Sequence, residues 1–326
     1  MRDRSVLIRV PATVGNFGGA GNCAALALDA TLNVRASTRR DGGVGIRYFG
    51  EHGQRVPRDS SNLTVRAMQV ALAQQGREFH GVDLEMYGSV PVGVGLGSSA
   101  AAVWAGLLAA DRLYQLDLEE KLLFSLADGL ERRSENLRAA WFGGFAARLE
   151  EGPTVTHQPA VVPDDWVLTV VTPDLGSVRT LEADGPNRSR SDRSVYFDRA
   201  RTLSSFLTHQ AGHNSASDLG GSLPAVAEKT VPGLDEALQV QTPGTLAVFV
   251  CGSGPSIGIL AQTGSSESAT SAVVECLASR GVTSTSAELS PTNMGARDWN
   301  AGGTEVSLPA PIGLDLDMRP RPPLPV

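Results

Sequence analysis

Short apolar stretches alternate with glycine-rich loops along most of the chain. Apolar and polar residues alternate at Val82, Leu84 and Met86, which is the period of a half-buried strand. On such patterns we predict strands over 5–10, 24–36, 82–90, 166–171 and 246–251. Alanine- and leucine-rich or amphipathic stretches predict helices over 63–75, 98–114, 118–128, 195–209 and 268–280, the first capped within Ser60–Asn62.

Glycine-rich segments separate several of these elements. Three of them follow predicted strands, at Gly15–Asn22, Pro91–Gly97 and Gly252–Ser256. A further stretch, 174–194, is rich in Gly, Ser, Asp and Arg and predicts a mobile loop or lid. From about Gly302 the composition becomes proline-rich, which favours an extended or disordered tail.

The length and composition predict a two-lobed globular protein. The 326 residues exceed what one hydrophobic core usually holds. The formal charge of −7 argues against a nucleic-acid partner, since such proteins hold phosphates with clustered Lys and Arg. No run approaches about 18 apolar residues, so we expect no transmembrane helix and no membrane partner. Three cysteines without paired spacing favour a cytoplasmic location.

Several kinds of chemistry are excluded by the residues present. The only lysines are Lys121 and Lys229, and neither completes a Gly-Lys-Ser/Thr phosphate loop. The five histidines show no metal-ligand spacing. The glycine loop at 91–97 lacks the Gly-x-Gly-x-x-Gly spacing of dinucleotide-binding oxidoreductases.

The loop at 91–97 has the properties of a phosphate site. Glycines at 93, 95 and 97 let the backbone turn tightly and approach a ligand. Ser98 and Ser99 then open the predicted helix, whose first amides have no internal partners and carry partial positive charge. Together these features predict an anion site suited to phosphates.

The stretch Pro91–Ala101 resembles the ATP-loop signature of the GHMP kinases, Pro-x-x-x-Gly-Leu-Gly-Ser-Ser-Ala-Ala. Other motifs resemble those of homoserine kinases in the same chain order. Val10–Cys23 resembles the opening Pro-Ala-Thr-Ser-Ala-Asn-Leu-Gly-Pro-Gly-Phe-Asp-Cys, and 133–144 resembles His-Pro-Asp-Asn-Val-Ala-Pro-Ala-Leu-Phe-Gly-Gly. Gly252–Ser256 resembles the third glycine motif, so the likeness extends over about residues 5–298.

This resemblance implies an α+β, two-lobed GHMP kinase fold. The N-terminal lobe would resemble ribosomal protein S5 domain 2 and the C-terminal lobe would be ferredoxin-like. We place the N-terminal ATP-binding domain at 1–155, the C-terminal domain at 156–300 and the proline-rich tail at 301–326. ATP and Mg²⁺ would be the cofactors, and a small molecule with a hydroxyl group the acceptor. Dimers are common among such kinases, so a homodimer is one assembly to test.

The resemblance also assigns roles to individual residues. Those expected to bind the nucleotide are Asn62, Pro91, Gly93, Gly95, Leu96, Gly97, Ser98, Ser99, Ala100, Gly252, Ser253 and Gly254. Ser99 and Glu131 would hold the metal, with Ser98 an alternative to Ser99. The catalytic candidates are Asn16, Asn136 and Thr180, and no carboxylate base is assigned. The acceptor candidates are Asn16, Asn22, Arg133, Asn136 and Asp184.

The acceptor positions depart from the homoserine kinase pattern. Asn22 replaces an Asp, Arg133 replaces a His, and Asp184 aligns with an Arg. An Asp suits the ammonium of homoserine and an Arg its carboxylate. Two interpretations stay open: an acceptor other than homoserine, such as an amino alcohol or modified amino acid, or a divergent homoserine kinase. A GHMP-fold nucleotide-binding or regulatory protein without transfer activity is the alternative from another class.

Overall fold

A computed structural model describes residues 5–89, 91–151, 154–174, 176, 179–180, 190–209 and 229–300. Its strands are β1 Ser5–Gly15, β2 Ala24–Thr38, β3 Val44–Phe49, β4 Val82–Gly88, β5 Phe145–Glu151, β6 Thr154–Ala160, β7 Trp166–Pro173, β8 Arg179–Thr180, β9 Lys229–Thr230, β10 Thr245–Val250, β11 Ile257–Gln262 and β12 Ser284–Leu289. Its α-helices are α1 Leu63–Gln74, α2 Ser98–Tyr114, α3 Glu120–Leu130, α4 Ser134–Phe142, α5 Arg190–His209, α6 Leu234–Ala237, α7 Glu267–Ala278 and α8 Ala296–Trp299.

The first sheet is built around β2, which is 15 residues long. One edge of β2 pairs with β1 in antiparallel register. The other edge pairs with β5 near its start and with β4 over Leu32–Thr38, so two branches leave the same strand. Strand β3 extends one branch parallel to β4, and β6 extends the other antiparallel to β5.

Helices α1, α2 and α4 cover this sheet and enclose its main core. The Trp104 side chain of α2 is fully buried, and its indole N–H donates to the Leu137 carbonyl of α4 at 2.8 Å. Asn62 caps α1, because its Oδ1 accepts from the amide of Thr64 at 2.9 Å. A Cβ atom on Gly106 would lie 2.2 Å from the Thr64 carbonyl, so glycine lets α1 and α2 approach closely.

The second sheet is antiparallel with the strand order β10-β11-β7-β12. The chain enters it by β7, passes through α5 to the hairpin β10–β11, and returns through α7 to β12. This is the β-α-β-β-α-β arrangement of a ferredoxin-like lobe. The predicted α+β fold class and the two-lobed GHMP kinase fold are therefore confirmed.

A shared apolar cluster joins the two sheets. Phe17, fully buried in the glycine-rich segment after β1, contacts Phe145 of β5 with ring centres 5.7 Å apart. The same ring contacts Phe249 of β10 at 5.5 Å and Trp166 of β7 at 6.5 Å. The N-terminal glycine segment is thereby held between the lobes. The domain limits at 155 and 300 stay predictions; the last strand of the first sheet ends at Ala160.

The structure differs from the predicted elements in several places. Helix α4 was not expected, because its sequence begins with the polar run 131–136. Strands β3, β5, β6, β11 and β12 were also missed, and α5 begins at Arg190, five residues before the predicted helix. Most of the predicted loop or lid, and the proline-rich tail, lie outside the described residues. In the described part of the chain, no helix has the length and apolarity needed to cross a membrane.

Candidate nucleotide and acceptor site

The N-terminus of α2 is open toward the glycine loop that precedes it. Gly97 adopts the left-handed conformation, with φ of 65°, and its carbonyl accepts the first helical hydrogen bond from Ala101 at 3.0 Å. The amides of residues 98–100 therefore precede the first helical donor. Ser98 and Ser99 are only half-buried. Unpaired amides, two hydroxyl groups and the positive end of the helix dipole together suit a phosphate.

The three glycine motifs meet at this helix end. A Cβ atom on Gly95 would lie 2.0 Å from the Cys251 carbonyl, so the second and third motifs are in direct backbone contact. The Gly252 amide donates to the Gly15 carbonyl at 2.9 Å, which links the third motif to the first. Segments separated by more than two hundred residues in sequence thus converge on one point, as the resemblance implied.

A cavity of about 190 Å³, partly open to solvent, adjoins the same helix end. Its lining includes Asn62, Leu96, Ser98 and Ser99 among the predicted nucleotide residues. Asn62 contributes mainly structure, because its Nδ2 donates to the Pro57 carbonyl while its Oδ1 caps α1.

Asn16 connects the N-terminal glycine segment to the second sheet. Its Nδ2 donates to the Val250 carbonyl at 2.9 Å, and its Oδ1 accepts from the Gly21 amide at 2.8 Å. The residue is nearly fully buried and adopts φ of 56°. One amide hydrogen and one lone pair remain for a ligand after these bonds.

Asn136 belongs to a buried hydrogen-bond chain between β1 and α4. Its Oδ1 accepts from the Thr13 hydroxyl at 2.9 Å, and its Nδ2 donates to Glu135 Oε1 at 3.3 Å. A Cβ atom on Gly15 would lie 2.8 Å from Asn136 Nδ2. The sequence did not indicate Thr13 or Glu135 as members of this chain. The homoserine kinase motif aligned over 133–136 is the signal that would have drawn attention to Glu135.

Glu135 is a buried carboxyl group, 1% exposed, beside this asparagine. Burial raises its pKa to about 8, while the nearby charges of Arg133 and Arg148 oppose the rise. The carboxyl group is therefore mostly protonated at neutral pH. A neutral carboxyl group can both accept a hydrogen bond from Asn136 and donate one itself.

The predicted acceptor residues are only partly brought together. Asn22 lies exposed in the 3-10 helix Gly21–Cys23, where α5 packs closely: a Cβ on Gly21 would lie 3.1 Å from the Tyr196 ring. Arg133 precedes α4 and is half-buried. Asp184 lies outside the described residues. For Thr180 the structure gives only the backbone pairing with Lys229 in β8 and β9.

Glu131 lies at the end of α3, and its Oε1 accepts from the Arg133 amide at 3.0 Å. Among the described residues, no group of three or more His, Cys, Asp or Glu side chains could hold a metal ion alone. Mg²⁺ in kinases is commonly held by one or two carboxylates and the substrate phosphates. Ser99 and Glu131 stay the predicted protein ligands of such a shared site.

Comparison with known proteins gives the same family. Residues 62–144 match the family described as GHMP kinases N terminal domain. The chain is 32% identical over 270 residues to a homoserine kinase of Leifsonia xyli subsp. xyli, covering 79% of this chain and 81% of that protein. It is 31% identical over 307 residues to a homoserine kinase of Microchaete diplosiphon, covering 91% and 98%.

A solved structure shows the same fold. The crystal structure of homoserine kinase from Cytophaga hutchinsonii superimposes with a TM-score of 0.71 at 22% identity, covering 90% of this chain and 97% of that one. The converging glycine motifs, the open helix end and the sequence relatives agree. The chain is therefore an ATP-dependent kinase that belongs to the homoserine kinase family of the GHMP kinases.

Proposed function

We propose that this protein transfers the γ-phosphoryl group of ATP to the hydroxyl of L-homoserine or of a closely related amino acid or amino alcohol. The observation that carries this proposal is the meeting of Gly15, Gly95 and Gly252 in front of the α2 N-terminus, beside a cavity lined by Ser98 and Ser99. The similarity to curated homoserine kinases over most of the chain supports homoserine as the acceptor.

Phosphoryl transfer depends mainly on position and charge neutralisation. In this proposal the amides at the start of α2, with Ser98 and Ser99, hold the phosphates. Ser99 and Glu131 would hold Mg²⁺, which would supply further neutralisation of the phosphate charge. Because backbone amides and a helix dipole supply fixed positive potential, the site needs no lysine.

Asn16 and Asn136 are proposed to orient the acceptor near the transferred phosphate. Each side chain keeps hydrogen-bonding capacity after the bonds that fix it in place. Arg133 and Asn22 are proposed to discriminate between acceptors, with Thr180 and Asp184 completing the site. An acceptor carboxylate would be attracted by Arg133, whereas Asn22 cannot supply the charge that an ammonium group prefers.

Steady-state ADP release with ATP, Mg²⁺ and a matched panel of acceptors tests this proposal. The panel contains L-homoserine, its analogue without the ammonium group, and its analogue without the carboxylate. Turnover highest with homoserine supports the homoserine assignment, and turnover highest with either analogue assigns the altered acceptor. No turnover with any alcohol, combined with tight ATP binding, would support a nucleotide-binding protein without transfer activity.

Ser99→Ala and Glu131→Gln provide the site controls. Both should lower turnover while leaving the fold unchanged by circular dichroism, and raised Mg²⁺ should partly restore activity to a variant that has lost a metal ligand. Glu119 is an exposed carboxylate at the opposite end of α3, so Glu119→Gln should change neither turnover nor its dependence on Mg²⁺.

A further inference from the structure

Tyr48 of β3 forms part of the cavity wall and is fixed there by glycines. A Cβ atom would lie 2.8 Å from its ring at Gly53, 3.0 Å from its ring at Gly50, and 2.0 Å from its hydroxyl oxygen at Gly88. Contacts below 3 Å are not tolerated, so a side chain at Gly53 or Gly88 would displace the ring, and one at Gly50 would crowd it. The absence of side chains at three separate positions therefore determines where the tyrosine lies.

The hydroxyl of Tyr48 is available to a ligand. Within the part of the chain that the structure describes, it has no hydrogen-bond partner, although the residue is half-buried and lines the cavity. Arg58, a charged group near Tyr48, is itself engaged with the carbonyls of Ile46 and Gly53. The hydroxyl oxygen is not one of the buried side-chain atoms that lack a partner, so water or a ligand can reach it.

Arg55 lies on the same wall at the glycine loop. Its Nη1 is 3.3 Å from the position that a Cβ of Gly93 would take, and it lines the cavity together with Ser98 and Ser99. Among the described residues Arg55 has no carboxylate partner, whereas Arg39, Arg47 and Arg138 each pair with one. The protein carries a net charge of −7, so an unpaired guanidinium beside the loop is the local attraction for an anion.

We propose that Tyr48 and Arg55 form a nucleotide clamp, in which the Tyr48 hydroxyl binds the nucleoside part of ATP and the Arg55 guanidinium binds its phosphate chain beside the glycine loop. This inference rests on the proposed placement of ATP in the cavity. A guanidinium group can pair with two phosphate oxygens through two parallel N–H donors. One exposed arginine can therefore contribute measurably to nucleotide affinity. The clamp gives the chain a charged phosphate contact without a lysine.

Isothermal titration calorimetry with adenosine, AMP, ADP and ATP separates the two halves of the clamp. Tyr48→Phe keeps the ring among the glycines and removes only the hydroxyl. It should lower the affinity for all four ligands by the same factor, about 3- to 10-fold for one lost hydrogen bond. Arg55→Gln should leave the affinity for adenosine unchanged. It should lower the affinities for ADP and ATP about 10-fold, because a partly exposed charged contact is lost.

A matched control accounts for the change in total charge. Arg66 of α1 is exposed and does not line the cavity, so Arg66→Gln should leave all four affinities unchanged. If Arg55→Gln weakens adenosine as much as ATP, the guanidinium contacts the nucleoside and the proposed phosphate contact is wrong. Unchanged affinities in both variants would overturn the clamp. If the wild-type protein itself binds no ATP, the proposed function fails rather than the clamp.

Discussion

The Thr13 hydroxyl donates a hydrogen bond of 2.9 Å to Asn136 Oδ1, across 123 positions of sequence. Both side chains are buried, and the bond joins β1 to the start of α4. The bond fixes the orientation of the Asn136 amide. Its Oδ1 faces Thr13 of β1, and its Nδ2 faces Glu135. Since Asn136 is a proposed acceptor contact, the orientation of its amide should affect turnover more than nucleotide binding.

Thr13→Val should therefore lower kcat/KM for the acceptor about 10- to 100-fold, because small misplacements of a positioned group are costly. The valine also leaves a buried oxygen of Asn136 without its donor, at a cost of ~1–3 kcal/mol in unfolding free energy. Steady-state kinetics and urea unfolding measure the two effects separately. Thr13→Ser restores the hydroxyl and should recover most of the rate; failure of this rescue would contradict a role for the hydrogen bond.

Gly97→Ala should abolish most activity. A Cβ at this position would lie 2.0 Å from the Thr13 hydroxyl oxygen, and the residue has φ of 65°. The added atom must displace either β1 or the helix end that holds the phosphates, so we expect a loss of about 100-fold or more in kcat/KM for ATP. The matched control is Gly129→Ala in α3, where a Cβ meets no atom within 4 Å.

Gly129→Ala should keep full activity and raise the unfolding free energy by up to ~1 kcal/mol, because alanine restricts the unfolded chain and favours helix. Equal losses of activity in the two variants would mean that Gly97 is not specially constrained.

The elements that sequence predicted well are those whose pattern is local. The Asn62 cap of α1 and the bounds of α2 follow from side chains within one or two turns. Strand β3 was missed because its positions are mostly half-buried and give no clear alternation. The glycine loops were recognised from composition, yet their convergence depends on backbone contacts between Gly95 and Cys251 that no single segment contains.

Some residues of the site were missed for the same reason, because their roles depend on contacts between distant segments. Glu135 reads as an ordinary charged residue near a helix start, and only burial among distant segments makes its carboxyl group unusual. In the sequence, Gly50 and Gly53 lie between predicted elements and Gly88 lies within the predicted strand 82–90, so nothing connects the three. Their common function, making room for the Tyr48 ring, exists only after β3 and β4 have paired.

Stability should fall as pH rises because of Glu135. Its folded-state pKa is raised to about 8 by burial, above its ordinary value of 4.5. The folded protein keeps the proton between these pH values while the unfolded chain releases it. The stabilising contribution is therefore complete below about pH 4.5 and is lost as pH rises to about 8, with a limiting slope of ~1.4 kcal/mol per pH unit.

Glu135→Gln removes this titration while keeping an oxygen that can accept from Asn136. Urea unfolding of both proteins from pH 5 to pH 8 should show the variant gaining stability relative to wild type as pH rises. The charges of Glu131, Arg133 and Arg148 face this group in both proteins, and His157, whose pKa burial lowers to about 4, also cancels in the difference. A pH-independent difference would show that the Glu135 pKa is not raised.

Gly88→Ala should weaken ATP binding by displacing the Tyr48 ring. The new Cβ would lie 2.0 Å from the Tyr48 hydroxyl oxygen, and φ at this position is not in the left-handed region, so the backbone itself tolerates alanine. The tyrosine ring must then leave its position beside Gly50, Gly53 and Gly88 and turn into the cavity. We expect ATP affinity to fall about 10-fold or more, because overpacking forces side chains from their preferred positions.

A double-mutant cycle shows whether the effect passes through the ring. In a Tyr48→Ala background the ring is absent, so Gly88→Ala should no longer change ATP affinity beyond the effect of Tyr48→Ala alone. Calorimetric dissociation constants of the four proteins give this coupling directly. If Gly88→Ala weakens ATP binding equally with and without the Tyr48 ring, the new side chain acts by narrowing the cavity itself. The glycines then do not position Tyr48 for the nucleotide.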